Sequence, residues 1–106
     1  MEFTYNKFAN QIKNVVKQTD PTAVVILYGS RATGKAKKDS DWDVLILLDK
    51  STVSITEEQI FRHNLYELEL EAGKPISTFV YATGDWNTRL RNTPLYKAVK
   101  QNGIIL

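Results

Sequence analysis

The chain has 106 residues, enough for one domain with a modest core. Its 42% apolar and 25% charged content is that of an ordinary soluble globular protein, and a net charge of +2 is too weak to argue for nucleic acid. The absence of cysteine excludes disulfides, thiolate metal sites and thiol catalysis. No apolar run reaches membrane-spanning length and Met1-Glu2-Phe3-Thr4 does not begin a signal peptide, so the expectation is a cytoplasmic protein with no membrane partner.

Tyr5, Phe8, Ile12, Val15 and Val16 recur at helical spacing, with Lys7, Asn10, Lys13, Asn14 and Lys17 on the other face. Thr4 is the expected N-cap, and Asp20-Pro21 ends the helix because the residue before proline avoids helical geometry. Val24, Val25, Ile26 and Leu27 form a continuous apolar run suited to a strand covered on both faces. The run stops at Tyr28-Gly29-Ser30, where glycine permits an unusual backbone conformation and a close approach to the main chain. A short basic loop follows, carrying Arg31, Lys35, Lys37 and Lys38. Then Ser40-Asp41 opens a second apolar strand, Trp42 to Leu48.

Asp41 and Asp43 are two apart, which in a strand puts both carboxylates on one face and Trp42 on the other. Two adjacent carboxylates repel each other, and partial burial is costly unless a cation lies between them. Oxygen ligands of this kind suit Mg²⁺, which commonly takes one or two carboxylates and completes its shell with substrate phosphates. Gly29, the Ser30 hydroxyl and nearby backbone N–H groups suit phosphate. Together the two halves point to a metal–triphosphate site. A bare Asp-x-Asp more often marks the polar side of an edge strand; the Gly-Ser turn one loop upstream favours the site.

Gly29-Ser30, Gly34 and Ser40-Asp41-Trp42-Asp43 resemble the G-S…G…S-D-x-D signature of the DNA polymerase β-like nucleotidyltransferases, in their minimal branch. The resemblance implies an α+β fold, a small mixed sheet with helices packed against it like the polymerase β palm. It implies Asp41 and Asp43 as catalytic Mg²⁺ ligands, with ATP as the nucleoside triphosphate. The signature and its loop make Gly29, Ser30, Arg31, Gly34, Lys35 and Ser40 the expected nucleotide contacts. Gly29 to Lys35 also approaches the P-loop pattern, but position 36 is alanine, so the hydroxyl that would reach Mg²⁺ is missing. A strand, not a long helix, follows.

Beyond the polar break Asp49-Lys50-Ser51, Thr56-Glu-Glu-Gln59 has the form of a capping box. It is expected to open a helix with Ile60, Phe61, Leu65, Leu68 and Ala72 inward, ending at Gly73. His63, the single histidine, is expected on its surface. Pro75 to Tyr81 is expected as a third strand. The family often places a third carboxylate there, as a base or a further metal ligand; Ser77 occupies that place and cannot supply the charge. Asp85 and Glu71 are the alternatives, unplaced by sequence. Gly84-Asp85-Trp86 starts a helical piece, with Arg89 and Arg91 exposed and within reach of phosphate. Thr93-Pro94 caps a last helix ending at Asn102-Gly103, and Ile104-Ile105-Leu106 is expected as an edge strand or a partner contact.

The resemblance further implies a helical HEPN-domain partner, a toxin in some systems, with AMP transferred to one of its tyrosines. The alternative is a nucleotide-binding module that neutralises its partner by contact alone, a reading Ser77 supports. A homo-oligomer stays open.

Overall fold

The computed structural model describes the backbone of residues 2–106 and the side chains of residues 7–106. The apolar runs become one four-stranded sheet with helices on both faces. The elements follow in the order α1 (Glu2–Thr19), β1 (Val24–Tyr28), α2 (Ser30–Thr33), β2 (Trp42–Leu48) and α3 (Ile55–Ala72). Then come β3 (Ile76–Ala82), α4 (Thr83–Trp86), α5 (Pro94–Asn102) and β4 (Ile104–Ile105). The expected α+β architecture with a small mixed sheet is what the chain adopts.

The strand order is β3-β2-β1-β4. β1 runs antiparallel to both β2 and β4, and β2 runs parallel to β3. A parallel neighbour needs a crossover, which α3 supplies. β2 is buried at every position except the half-buried Asp43. One sheet face carries Val25, Leu27, Val44, Ile46, Leu48 and Val80. Phe8, Ile12 and Val16 of α1 and Phe61, Leu65 and Leu68 of α3 cover it. The other face carries Ile26, Tyr28, Leu45 and Leu47, covered by Trp86 of α4 and Val99 of α5. This two-sided burial is why β1 and β2 lack the apolar–polar alternation of a half-exposed strand.

Several expectations shift at the element ends. The first helix begins at Glu2, so Thr4 lies inside it and is not its N-cap; Tyr5 belongs to the residues whose side chains are not described. The cap of α3 is Ser54, not Thr56. Ser54 Oγ accepts from the Glu57 N–H at 3.1 Å, and the Glu57 carboxylate accepts from the Ser54 N–H at 3.1 Å. This reciprocal pair satisfies two otherwise orphaned donors. Ile60 points outward at 46% exposure, because the buried stripe Phe61, Leu65 and Leu68 runs one residue out of phase with it. The third strand spans Ile76 to Ala82, with Pro75 just outside it.

The C-terminal half follows the sequence closely. Thr93 Oγ1 accepts from the Tyr96 N–H at 3.2 Å, and Pro94 occupies the first turn of α5. Ile104 and Ile105 form the expected edge strand against Leu27 and Ile26. The Leu106 N–H donates to the Val25 carbonyl at 2.9 Å. Among the described residues no helix is long and apolar enough to cross a membrane.

Candidate active site

The Gly29 backbone adopts φ 73° and ψ −156°, a combination essentially confined to glycine. The reason lies across the hairpin. A Cβ at this position would overlap Asp43 Oδ2 and lie 3.1 Å from Asp43 Cγ. The strand end and the second aspartate are therefore in contact through the missing side chain. From Gly29 the chain turns into α2, a single helical turn absent from the sequence reading. The Ala32 and Thr33 N–H groups donate to the Gly29 carbonyl at 3.0 and 3.2 Å, and Gly34 closes the far end. Four residues are too few to show helical periodicity.

Three strands set what surrounds Asp43. Tyr28 lies opposite it on β1, and Ser77 lies level with it on β3. Cross-strand partners share a face, so Tyr28, Asp43 and Ser77 form a row across the sheet. Ser77, expected where the family places a third carboxylate, brings no charge to this row. Burial raises the Asp43 pKa above the ordinary carboxylate value, and the charge of Asp41 raises it further. The Tyr28 hydroxyl is pushed up to about 12, by burial first and then by Asp43 and Tyr81. It is a neutral phenol at physiological pH.

The two alternative carboxylates do not join the pair. Among the described residues no group of three or more potential metal-ligating side chains occurs. Asp85 follows the C-terminal end of β3, whereas Asp43 lies near the N-terminal end of the parallel β2. It pairs with Arg89 at 3.4 Å. Glu71 lines a groove with Val15, Gln18 and Asn64 between α1 and α3, on the sheet face opposite Asp43. His63 sits exposed on α3, 3.6 Å from Glu67.

The loop between α2 and β2 departs from expectation in one respect. Lys35, Lys37 and Lys38 are exposed, as a phosphate-facing loop requires. Arg31 and Ser40, however, are engaged with the chain itself. Arg31 Nη2 donates to the Ser40 carbonyl at 2.8 Å, and its guanidinium lies 4.8 Å above the Trp42 ring. Ser40 Oγ accepts from the Lys37 N–H at 2.8 Å. Ser30 stands at the start of α2, directly beyond Gly29.

Along the same face as Asp43 and Ser77, β3 continues with Phe79 and Tyr81, whose rings stack at 6.0 Å and 10°. Phe79 is 37% exposed. Tyr81 stacks in turn on Trp86, and Trp86 tilts against Tyr96, so a line of aromatic rings leads away from the aspartates. Phe79 and Tyr81 carry no signal in the sequence that would place them at the site.

The donor set suits a hard divalent cation. Two carboxylates, one disfavoured as an anion by burial and then by its neighbour, match an ion that takes its remaining ligands from phosphate.

The sheet, the strand-end turn and the two aspartates are those expected of a minimal nucleotidyltransferase. The chain belongs to the family described as Polymerase beta, Nucleotidyltransferase, whose model matches residues 10–103. Two solved structures share the fold. One is the crystal structure of a toxin–antitoxin with AMP-PNP, with 18% identity and a TM-score of 0.66 over 91% of this chain and 69% of that chain. The other is a mutant of the toxin–antitoxin MntA-HpeT with two aspartate-to-glutamate substitutions. It has 16% identity and a TM-score of 0.65, with the same 91% and 69% coverage. A comparison with curated proteins gives no sequence match.

Proposed function

We propose that the chain transfers AMP from ATP to a hydroxyl on a protein partner, and that the partner is a HEPN-type toxin it restrains. The observation that carries this reading is the contact between Gly29 and Asp43, which joins a phosphate-binding turn to a carboxylate pair at one end of the sheet. Membership of the nucleotidyltransferase family supports the reaction class. The AMP-PNP in one structural neighbour supports ATP, and the toxin–antitoxin character of both supports a toxin partner.

In this reading Asp41 and Asp43 hold Mg²⁺. When bound, the ion offsets the charge on the triphosphate oxygens and on the leaving group. The Ser30 hydroxyl and the backbone N–H groups of the turn after Gly29 take the β- and γ-phosphates. Exposed Lys35 neutralises pyrophosphate as it leaves. The acceptor oxygen forms its bond to the α-phosphorus as the bond to pyrophosphate breaks. Its proton goes to solvent, because Ser77 offers no base. The acceptor side of the site is the uncharged β3 face with Phe79 and Tyr81. That surface favours a side-chain hydroxyl on a protein over a polyanionic acceptor.

The test is incubation of the purified chain with a HEPN-domain protein, Mg²⁺ and ATP labelled at the α-phosphate. Label on the partner is expected, and its absence at saturating Mg²⁺ refutes transfer. A second reading, neutralisation by contact without turnover, is favoured by Ser77 in register with Asp43. It predicts nucleotide binding by calorimetry and toxin inhibition, with no label transferred.

A further inference from the structure

We infer that Arg31 is the positioning residue that fixes Asp41 relative to Asp43, and that its guanidinium is committed to the protein and not to nucleotide phosphate. The inference rests on the metal role proposed above for the two aspartates.

Asp41 needs such a device. Asp43 is held within the most buried strand of the sheet and against Gly29. Asp41 lies one residue before β2 and is exposed. Its carboxylate can share an ion with Asp43 only if the preceding peptide is held in one orientation.

Arg31 grips both flanks of Asp41. On one side, Nη2 donates to the Ser40 carbonyl at 2.8 Å, the oxygen of the peptide that joins Ser40 to Asp41. A longer contact reaches the Lys38 carbonyl at 3.4 Å. On the other side, the guanidinium carbon lies 4.8 Å from the centroid of the Trp42 ring. That ring is itself fixed. Phe8 of α1 meets it edge-on at 4.9 Å and 70°, and Lys74 Nζ lies 5.7 Å from the Phe8 ring. Cation, ring, ring and cation thus form a continuous line of contacts from α2 through β2 and α1 to the start of β3. Arg31 Nε is buried within it with no hydrogen-bond acceptor.

The Ser40 turn is closed on its remaining sides by its own contacts with Lys37, through Oγ at 2.8 Å and through the backbone at 3.1 Å. The Ser40 carbonyl is the group that this turn does not satisfy, and Arg31 satisfies it. A planar fork suits the task because one plane can hydrogen-bond at its edge while its face lies on an indole. Exposed Lys35, Lys37 and Lys38 remain for phosphate.

The test uses Arg31→Gln and Arg31→Lys with three measurements that need no turnover. These are Mn²⁺ affinity by electron paramagnetic resonance, AMP-PNP affinity at saturating Mn²⁺, and amide hydrogen exchange at Ser40, Asp41 and Trp42. Arg31→Gln is expected to weaken Mn²⁺ binding by about tenfold, the scale of losing a group that orients a metal ligand. It should also speed exchange at Ser40 and Asp41, with AMP-PNP affinity at saturating Mn²⁺ nearly unchanged. Arg31→Lys should recover part of both losses, since an ammonium can still reach the carbonyl and the ring. Unchanged Mn²⁺ affinity and unchanged exchange in Arg31→Gln overturn the inference. So does a fall in AMP-PNP affinity with metal binding intact, which would put Arg31 on the phosphates. If the wild-type protein takes no Mn²⁺, the metal reading fails separately, and exchange at Ser40 and Asp41 still decides whether Arg31 holds the turn.

Discussion

At the scale of single residues, the site is a problem of space and charge around Asp43. Gly29 solves the problem of space. Its backbone lies where other residues are strained, and a side chain would occupy the volume of the Asp43 carboxylate. Gly29→Ala is therefore expected to cost about 2 kcal/mol or more in stability and to abolish nucleotidyl transfer, checked by thermal melting and by label transfer. The problem of charge is left unsolved by the protein alone. Burial and the charge of Asp41 raise the Asp43 pKa, so the ionised form is disfavoured in the folded state. Asp43→Asn removes that penalty. Without metal it should melt higher than wild type, by no more than about 4–8 °C, since a partly exposed charge is worth at most about 1 kcal/mol. The same substitution should abolish Mg²⁺-dependent transfer and the Mg²⁺-induced rise in melting temperature seen with wild type. A variant that melts lower without metal would show that the carboxylate is structurally satisfied and not waiting for a cation.

At the scale of elements, caps and phases decide what the sequence could and could not tell. Ser54-Ile55-Thr56-Glu57 and Thr56-Glu57-Glu58-Gln59 both match a capping box, and they overlap. The structure uses the first. Ser54→Ala is expected to cost about 1 kcal/mol and lower the melting point by about 4–8 °C. Thr56→Ala, on an exposed residue inside the helix, should change stability by less than about 0.5 kcal/mol. Comparing the two melting curves distinguishes the caps directly. β1 and β2 were legible because burial on both faces writes an apolar run, as in Val24–Leu27 and Val44–Leu48. The aspartates were legible because they interrupt that pattern at one strand end. Other features depend on contacts that no local pattern encodes. α2 is shorter than one helical period. Ile60 looked buried because Phe61 beside it is. The grip of Arg31 joins residues nine apart through a turn whose shape it helps to set. The separation of Asp85 from Asp43 follows from β2 and β3 being parallel, which places the ends of the two strands in register.

At the scale of the whole molecule, acidic groups with opposite behaviour set how stability depends on pH. Asp20 lies below the ordinary carboxylate pKa because the Thr22 hydroxyl and N–H donate to it. Glu57 lies below it because of Lys50 and the Ser54 cap. A lowered folded-state pKa gives stability that is present above the unfolded value and is lost as pH falls through the folded one. Asp43 has the opposite sign. Its raised value gives stability that is present below the unfolded pKa, near 3.9 in model peptides, and is lost as pH rises through the folded one. Asp20 and Glu57 therefore favour the fold less as pH falls, and Asp43 favours it less as pH rises toward neutral. The Asp43 penalty falls at the end of β2, the strand that packed layers hold from both sides. The melting-point advantage of Asp43→Asn should accordingly be largest at neutral pH, shrink as pH falls through the raised Asp43 value, and vanish once Asp43 is protonated in both folded and unfolded chains. Saturating Mg²⁺ should close the gap at neutral pH as well, by stabilising wild type alone. Melting curves of the two proteins across the acidic range, with and without Mg²⁺, measure this. A gap that is constant with pH would assign the effect to packing and remove the electrostatic basis of the site.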